Sequence, residues 1–262
     1  MKIRLFLLLF FGALATHAQQ KITLTASGTE MLQADAFVGY DNFGASYFIK
    51  DNVFCKKNAN RILEYKNLAF GKIKLADIKN PLQMVLFYEN FNTAVLLDNQ
   101  LNETQKINFS QNTVPIVALT TGMASQNRLW IYNSLSQKVG LYDYLRNDYR
   151  EITVPLSVKP IHFKTDFNYF YWIDEKGQRY ACDIYGKITA YGTFTAFDDF
   201  AIANDRWILY TRADKLYAFE AKTDKTYPLD IAEKTFKSFQ YQAQILSIFT
   251  TEGISNYKIT LP

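Results

Sequence analysis

Residues 168–183 read NYFYWIDEKGQRYACD: an aromatic-rich run from Asn168 to Asp174, the turn Glu175-Lys176-Gly177, and a second run from Gln178 to Asp183. Short runs of aromatic and aliphatic residues joined by a tight polar turn containing glycine read as an antiparallel hairpin. The pattern recurs along the chain: SYFIKD then VFCK from Ser46, QMVLFYE then TAVLLD from Gln83, and RLWIYN then KVGLYD from Arg128 precede it. RWILYT then KLYAFE from Arg206, and QILSIF then ISNYKI from Gln244, follow. Their turns fall near Asp51, Asn90, Ser134, Glu175, Ala213 and Glu252, a period of roughly 40 residues, which is the length of one four-stranded propeller blade.

Between the hairpins lie short runs fit to be innermost strands: Phe37 to Tyr40, Ile73 to Ala76, Ile116 to Leu119, Ile161 to Phe163, Phe200 to Ala203 and Phe236 to Phe239. The sixth unit runs out after three strands. Lys21 to Ser27, before the first inner strand, has no partner of its own. If Ile22 to Ala26 supplies the missing outer strand, the ring closes and no free edge is left at the join. The expected fold is therefore all-β, a single six-bladed β-propeller over residues 19–262, its last blade completed by the N-terminal strand.

The fourth unit also carries a resemblance. Tyr171-Trp172-Ile173-Asp174, followed by Tyr180 to Lys187 with its Asp183-x-x-Gly186 turn, resembles the Tyr-Trp-Thr-Asp (YWTD) repeat of six-bladed propellers. Arg128 to Asn133 and Arg206 to Thr211 look like eroded copies. More loosely, the whole chain resembles exported propellers of diderm bacteria. The likeness implies architecture and an envelope location in such a cell, periplasmic or at the outer membrane, rather than an activity.

Met1 to Ala18 has Lys2 and Arg4, an apolar run from Leu5 to Ala15, and a Thr16-His17-Ala18 cleavage pattern, the layout of a signal peptide. No later run approaches the ~20 apolar residues of a membrane helix, so no transmembrane segment is expected in the mature chain. Cleavage removes two basic residues and no acidic one from a chain of formal net charge +4. That small residue of charge gives no case for nucleic acid. With 21 Phe and 18 Tyr, the composition favours strands.

Cys55 and Cys182 would pair in an oxidising compartment if geometry allowed. They fall on the third strands of the first and fourth blades, opposite in a ring of six. Strands ~4.8 Å apart place the sulfurs on the order of 20 Å from each other, against a Cα reach of ~7 Å for a disulfide. Both are expected as free thiols packed between blades.

Chemistry-bearing residues are sparse. His17 leaves with the leader, so His162 is the one histidine of the mature chain, which excludes a His-based zinc site and routes any triad through that residue. Its plainer reading is a half-buried histidine bonded to a carbonyl. No cofactor is expected, with one reservation: Asp35, Asp41, Asp198 and Asp199 flank inner strands, where calcium held by carboxylates and carbonyls is the alternative to ordinary turn-making. The face that carries the hairpin turns and the loops leading into the inner strands would display Asp51, Asn52, Asn90, Phe91, Asn92, Gln137, Lys176 and Asp214. Phe70, Phe91 and Phe197 are apolar residues in otherwise polar loops there. The residues named for binding are Phe70, Asn90, Phe91, Asn92, His162 and Phe197. Clustered, such aromatics suit a protein or glycan interface; scattered, they are loop anchors. The expected function is a non-enzymatic module holding an envelope protein partner. The alternative is a lactonase-like hydrolase with a divalent cation in the channel, on fold analogy.

Overall fold

Alternating burial in a strand decides what can pack on either side of a sheet, and here the second strands of the repeat are buried on both. In Met84–Tyr88 every residue is buried: Met84, Leu86 and Tyr88 face one neighbouring blade, Val85 and Phe87 the other. A computed structural model describes residues 21–59, 61–194 and 197–262. The leader Met1 to Ala18 lies outside the described residues.

The chain forms a six-bladed β-propeller, each blade a four-stranded antiparallel sheet. The inner strands are Ala36–Tyr40, Leu75–Asp77, Ala118–Ala124, Pro160–Thr165, Asp199–Ile202 and Ser238–Gln242. Those starting at Leu75, Ala118 and Ser238 begin two residues later than the apolar runs suggest, and those starting at Ala36, Pro160 and Asp199 one residue earlier. Within two of them the register slips, between Ala118 and Thr120 and between Pro160 and His162. Six hydrophobic clusters among the described residues each occupy one junction between adjacent blades. Neighbouring sheets thus bury each other, and no blade has a core of its own.

Closure uses Thr23–Met31, which pairs antiparallel with Gly253–Thr260, from Thr23 opposite Thr260 to Met31 opposite Gly253. The strand is longer than the expected Ile22 to Ala26, because a bulge between Ala26 and Gly28 lets pairing resume. Its Glu30 then reaches the first blade. Oε1 accepts from Lys57 Nζ (2.8 Å) and Ser46 Oγ (3.3 Å), and Oε2 from the Tyr40 hydroxyl (2.9 Å). One strand completes the sixth blade and ties it to the first.

Cys55 and Cys182 are free and buried. Cys55 packs with Phe249 and Ile254 at the junction of blades one and six, and Cys182 with Trp130 and Trp172 between blades three and four. Burial pushes the Cys55 thiol up to about 11 and the Cys182 thiol up to about 12, from an ordinary 9.0. At pH 8 native protein should therefore leave a disulfide-exchange reagent almost unreacted, and denaturant should release two titratable thiols. No titratable thiol in the denatured, unreduced protein would mean the two are bonded to each other and would contradict this. Because the folded state holds both protons more tightly than the unfolded chain, the stability they contribute is complete below pH 9. It falls as pH rises through 9 to 12.

Candidate functional site

Two regions could act on other molecules: the hairpin face and the central cavity. The hairpin face is held together by side-chain amides. Asn52 Nδ2 donates to Gly71 O (2.7 Å) and its Oδ1 accepts from Ile73 N (2.9 Å). Asn92 repeats this one blade on, donating to Ile116 O (2.6 Å) and accepting from Ala118 N (3.0 Å). Both asparagines have positive φ, which the tight turn demands and which asparagine tolerates. Asn92, named above as a binding residue, has both ends of its amide engaged with the protein.

Its neighbours differ. Asn90 and Phe91 lie on a single 3-10 turn, Glu89–Phe91, and both are exposed. Phe91 rests on Phe70, ring centroids 6.2 Å apart, and Phe70 is half-buried against Tyr88. Phe197 stands elsewhere, packed with Phe194 and Phe200 where blades four and five meet. His162 joins that group, its ring 4.7 Å from Phe197 and edge-on to Phe200. Burial lowers its pKa, with Lys164 adding to the effect and Asp199 opposing it. The six residues thus form two sets: Phe70, Asn90, Phe91 and Asn92 on the second blade, and His162 with Phe197 further round.

Large apolar side chains continue the first set. Leu68, Phe91, Val114, Val117, Leu135, Val154 and Ile161 are all 42–77% exposed, in hairpins and inner-strand approaches of blades two to four. Val117 O accepts from Ser134 N (2.9 Å) and Gln137 O from Leu156 N (2.8 Å), so backbone bonds fix this arc as firmly as the asparagine clamps do.

The cavity, about 1130 Å³, lies on the ring axis. Its wall comes largely from the downstream halves of the inner strands and the turns after them: Tyr40 to Asn42, Asp77 to Lys79, Lys164 to Asp166, Ala203 to Asp205 and Gln240 to Ala243. It therefore opens away from the hairpin face. Its carboxylates are engaged. Asp77, buried, accepts from Lys79 Nζ (2.7 Å) and Met123 N (2.9 Å), and Lys79 also donates to Thr165 Oγ1 (3.2 Å). Asp41 accepts from Phe43 N, Ala45 N and the Tyr47 hydroxyl (2.8 Å); Asp166 accepts from Asn168 N, Tyr169 N and the Tyr171 hydroxyl (2.9 Å). Burial first, then the carboxylate partner, holds both phenols well above the ordinary tyrosine range.

The four aspartates weighed for calcium are dispersed in turns. Asp35 caps Asp51 N (2.7 Å), Asp198 caps Ala213 N (2.9 Å), and Asp199 accepts from its neighbour Phe200 N (2.8 Å) and pairs with Lys164 (3.2 Å). Among the described residues no group of three or more His, Cys, Asp or Glu is placed to hold a metal ion.

No protein-family model and no curated protein matches the chain. Solved structures do. A catalytically inactive virginiamycin B lyase from Staphylococcus aureus, with quinupristin, superposes with a TM-score of 0.59 at 12% identity, covering 92% of this chain and 100% of that one. The likeness is one of fold. A DUF4221 member from Bacteroides vulgatus gives 0.58 at 8% identity, over 92% and 99% of the two chains. The extracellular domain assigned to a one-component system of Bacteroides thetaiotaomicron gives 0.53 at 12%, over 90% of this chain and 40% of that chain. All share the propeller, and at these identities none transfers chemistry. Among the described residues no helix is long and apolar enough to cross a membrane.

Proposed function

We propose that the protein is an exported, non-catalytic binding module of a diderm cell envelope that holds a protein partner on its hairpin face. The arc from Leu68 to Ile161 carries this reading. Exposed apolar residues spaced over three adjacent blades and fixed by backbone and amide bonds are what a protein interface needs: hydrophobic anchors whose order does not have to be acquired on binding. Asn90 and Gln137 give it a polar rim. Export rests on the leader-like Met1 to Ala18. The propeller likeness to the B. thetaiotaomicron extracellular domain is compatible with it.

The lactonase-like alternative gains no support from His162, which packs on Phe197, nor from Asp41, Asp77 and Asp166, whose bonds are made within the protein. A general base must sit within hydrogen-bond reach of the proton it takes.

Cross-linked capture from envelope extracts tests the reading. A Phe91→Asp/Leu135→Asp double variant should lose at least tenfold of the partner recovered by the unaltered protein, because truncating or charging buried anchors costs about 2 kcal/mol or more each. Leu145→Asp/Tyr185→Asp, at loops of the opposite face, should leave recovery unchanged. Loss in the second pair alone would move the interface to that face; equal recovery in all three would end the proposal.

A further inference from the structure

The cavity on the axis has its own selectivity, independent of the hairpin face. Its charged groups are paired or hydrogen-bonded from within: Asp77 by Lys79, Lys164 by Asp199, Lys74 by Glu89 (3.1 Å), Asp41 by turn amides, Tyr47 and Lys56 (3.9 Å), and Asp166 by turn amides and Tyr171. Asp205 stands at the exposed rim. A charged ligand would have to displace these partners, and desolvating it among groups already satisfied would be unfavourable.

What the wall leaves open is neutral. Gln240 and Gln242 lie two apart on the inner strand Ser238–Gln242 and so on one side of it. The Gln240 amide makes no hydrogen bond among the described residues. Gln242 Nε2 donates to Asn42 Oδ1 (3.1 Å), leaving the Gln242 carbonyl oxygen and the Asn42 amide protons for something else. Deeper in, Thr121 is 1% exposed and its hydroxyl has no partner. Beside these amides run Tyr241 and an apolar belt of Val38, Ala76, Ile78, Ala201 and Ile202. Donors and acceptors without charge, next to aliphatic and aromatic surface, match a molecule with hydroxyls on its edges and C–H groups on its faces. Pockets of several hundred Å³ are usual for small ligands, and this one has room for two sugar rings.

We propose that the axial cavity binds an uncharged saccharide of one or two units, with Gln240 and Gln242 as the amides that bond its hydroxyls. The sugar enters from the face opposite the hairpins, so occupation of the cavity and of the hairpin arc are compatible.

Saturation-transfer NMR on the purified protein, with maltose, cellobiose, lactose and N,N′-diacetylchitobiose as probes and glucuronate and glucosamine as charged comparators, tests this. The expected result is transfer to the ring protons of at least one neutral disaccharide and none to the charged sugars. Titration with the responding sugar should then show affinity reduced at least tenfold in Gln240→Leu and less in Gln240→Asn, with thermal midpoints within a degree or two of the parent protein. Gln242→Ala should weaken binding in the same sense and provides the measurement if Gln240→Leu does not fold. No transfer to any of the four, affinity indifferent to both glutamines, or tighter binding of a charged sugar would each overturn the proposal. Loss of partner capture in the hairpin variants would leave it untouched.

Discussion

Replacing Gly253 with alanine should lower the thermal midpoint by roughly 6–12 °C, through a loss of about 3 kcal/mol at the 2–4 °C per kcal/mol typical of chains of this size. Gly253 opens the strand that receives the closing strand, and its φ is +155°, a conformation that costs side-chain-bearing residues heavily. An added methyl group would also fall inside van der Waals contact of the Glu30 carbonyl oxygen, with Leu32 N at 2.9 Å. Both obstacles are backbone, so neither can rotate away. Gly28 is the matched control. Its φ is +146°, yet nothing lies within 4 Å of an added Cβ, so Gly28→Ala should cost only the conformational part, about 1 kcal/mol. Equal destabilisation by the two would mean that the clash at the join is relieved by movement, and that closure is less tightly specified than its hydrogen bonds indicate.

Asp77→Ala should cost about 2–3 kcal/mol, measured as a lower denaturant midpoint at unchanged m. The carboxylate joins three blades: it belongs to the second, accepts from Met123 N in the third, and through Lys79 reaches Thr165 in the fourth. Lys79 is partly exposed and can turn its ammonium to water when the partner is gone. The buried Met123 N–H cannot, and most of the loss arises there. Asp77→Asn can still accept from that N–H and should be milder. Gly122 completes the arrangement: a Cβ there would overlap Thr165 Oγ1 and meet Asp77 Oδ2 at 3.1 Å. If Asp77→Asn proves as damaging as Asp77→Ala, the charge on the carboxylate matters more than its acceptance of the amide.

The architecture was legible because propeller physics writes it into local runs. A strand buried on both faces, such as Met84–Tyr88, must be apolar throughout. A ring with a missing outer strand must find it at the other end of the chain, as Thr23–Met31 does. The tetrapeptide Tyr171 to Asp174 shows why its wording stood out. Tyr171 bonds Asp166, Trp172 stacks on Tyr180 at 5.0 Å, and Asp174 caps the hairpin turn through Lys176 N and Gln178 N.

The sites were less legible. Asn90 and Asn92 are two residues apart in similar polar company, yet one faces solvent and the other clamps the next blade. That difference depends on carbonyl and amide groups of residues 116 and 118, which no local pattern records. Lys79 and Thr165 are 86 positions apart, and nothing in either neighbourhood announces the other. A channel was expected from the fold, but its lining was not legible, for a related reason. Its wall is assembled from all six inner strands, five of them adding ordinary turn residues and the third only Thr120 and Thr121, and their convergence exists only in the closed ring. A hint was present in Gln240 and Gln242, which alternate with buried Phe239 and half-buried Tyr241 and so form a polar side on an inner strand.

The clasp between the first and last described strands also makes the fold depend on both of them being present. A polypeptide cut short before residue 253 would leave Thr23–Met31 without its mate and the sixth blade with only the strands Ser238–Gln242 and Ile245–Phe249. It would then display the unpaired edge of Ile245–Phe249 and the part of the junction with the fifth blade that Tyr257 and Ile259 fill. Only a polypeptide that includes Gly253–Thr260 hides both at once, so copies lacking that strand should be cleaved faster by proteases than copies that carry it.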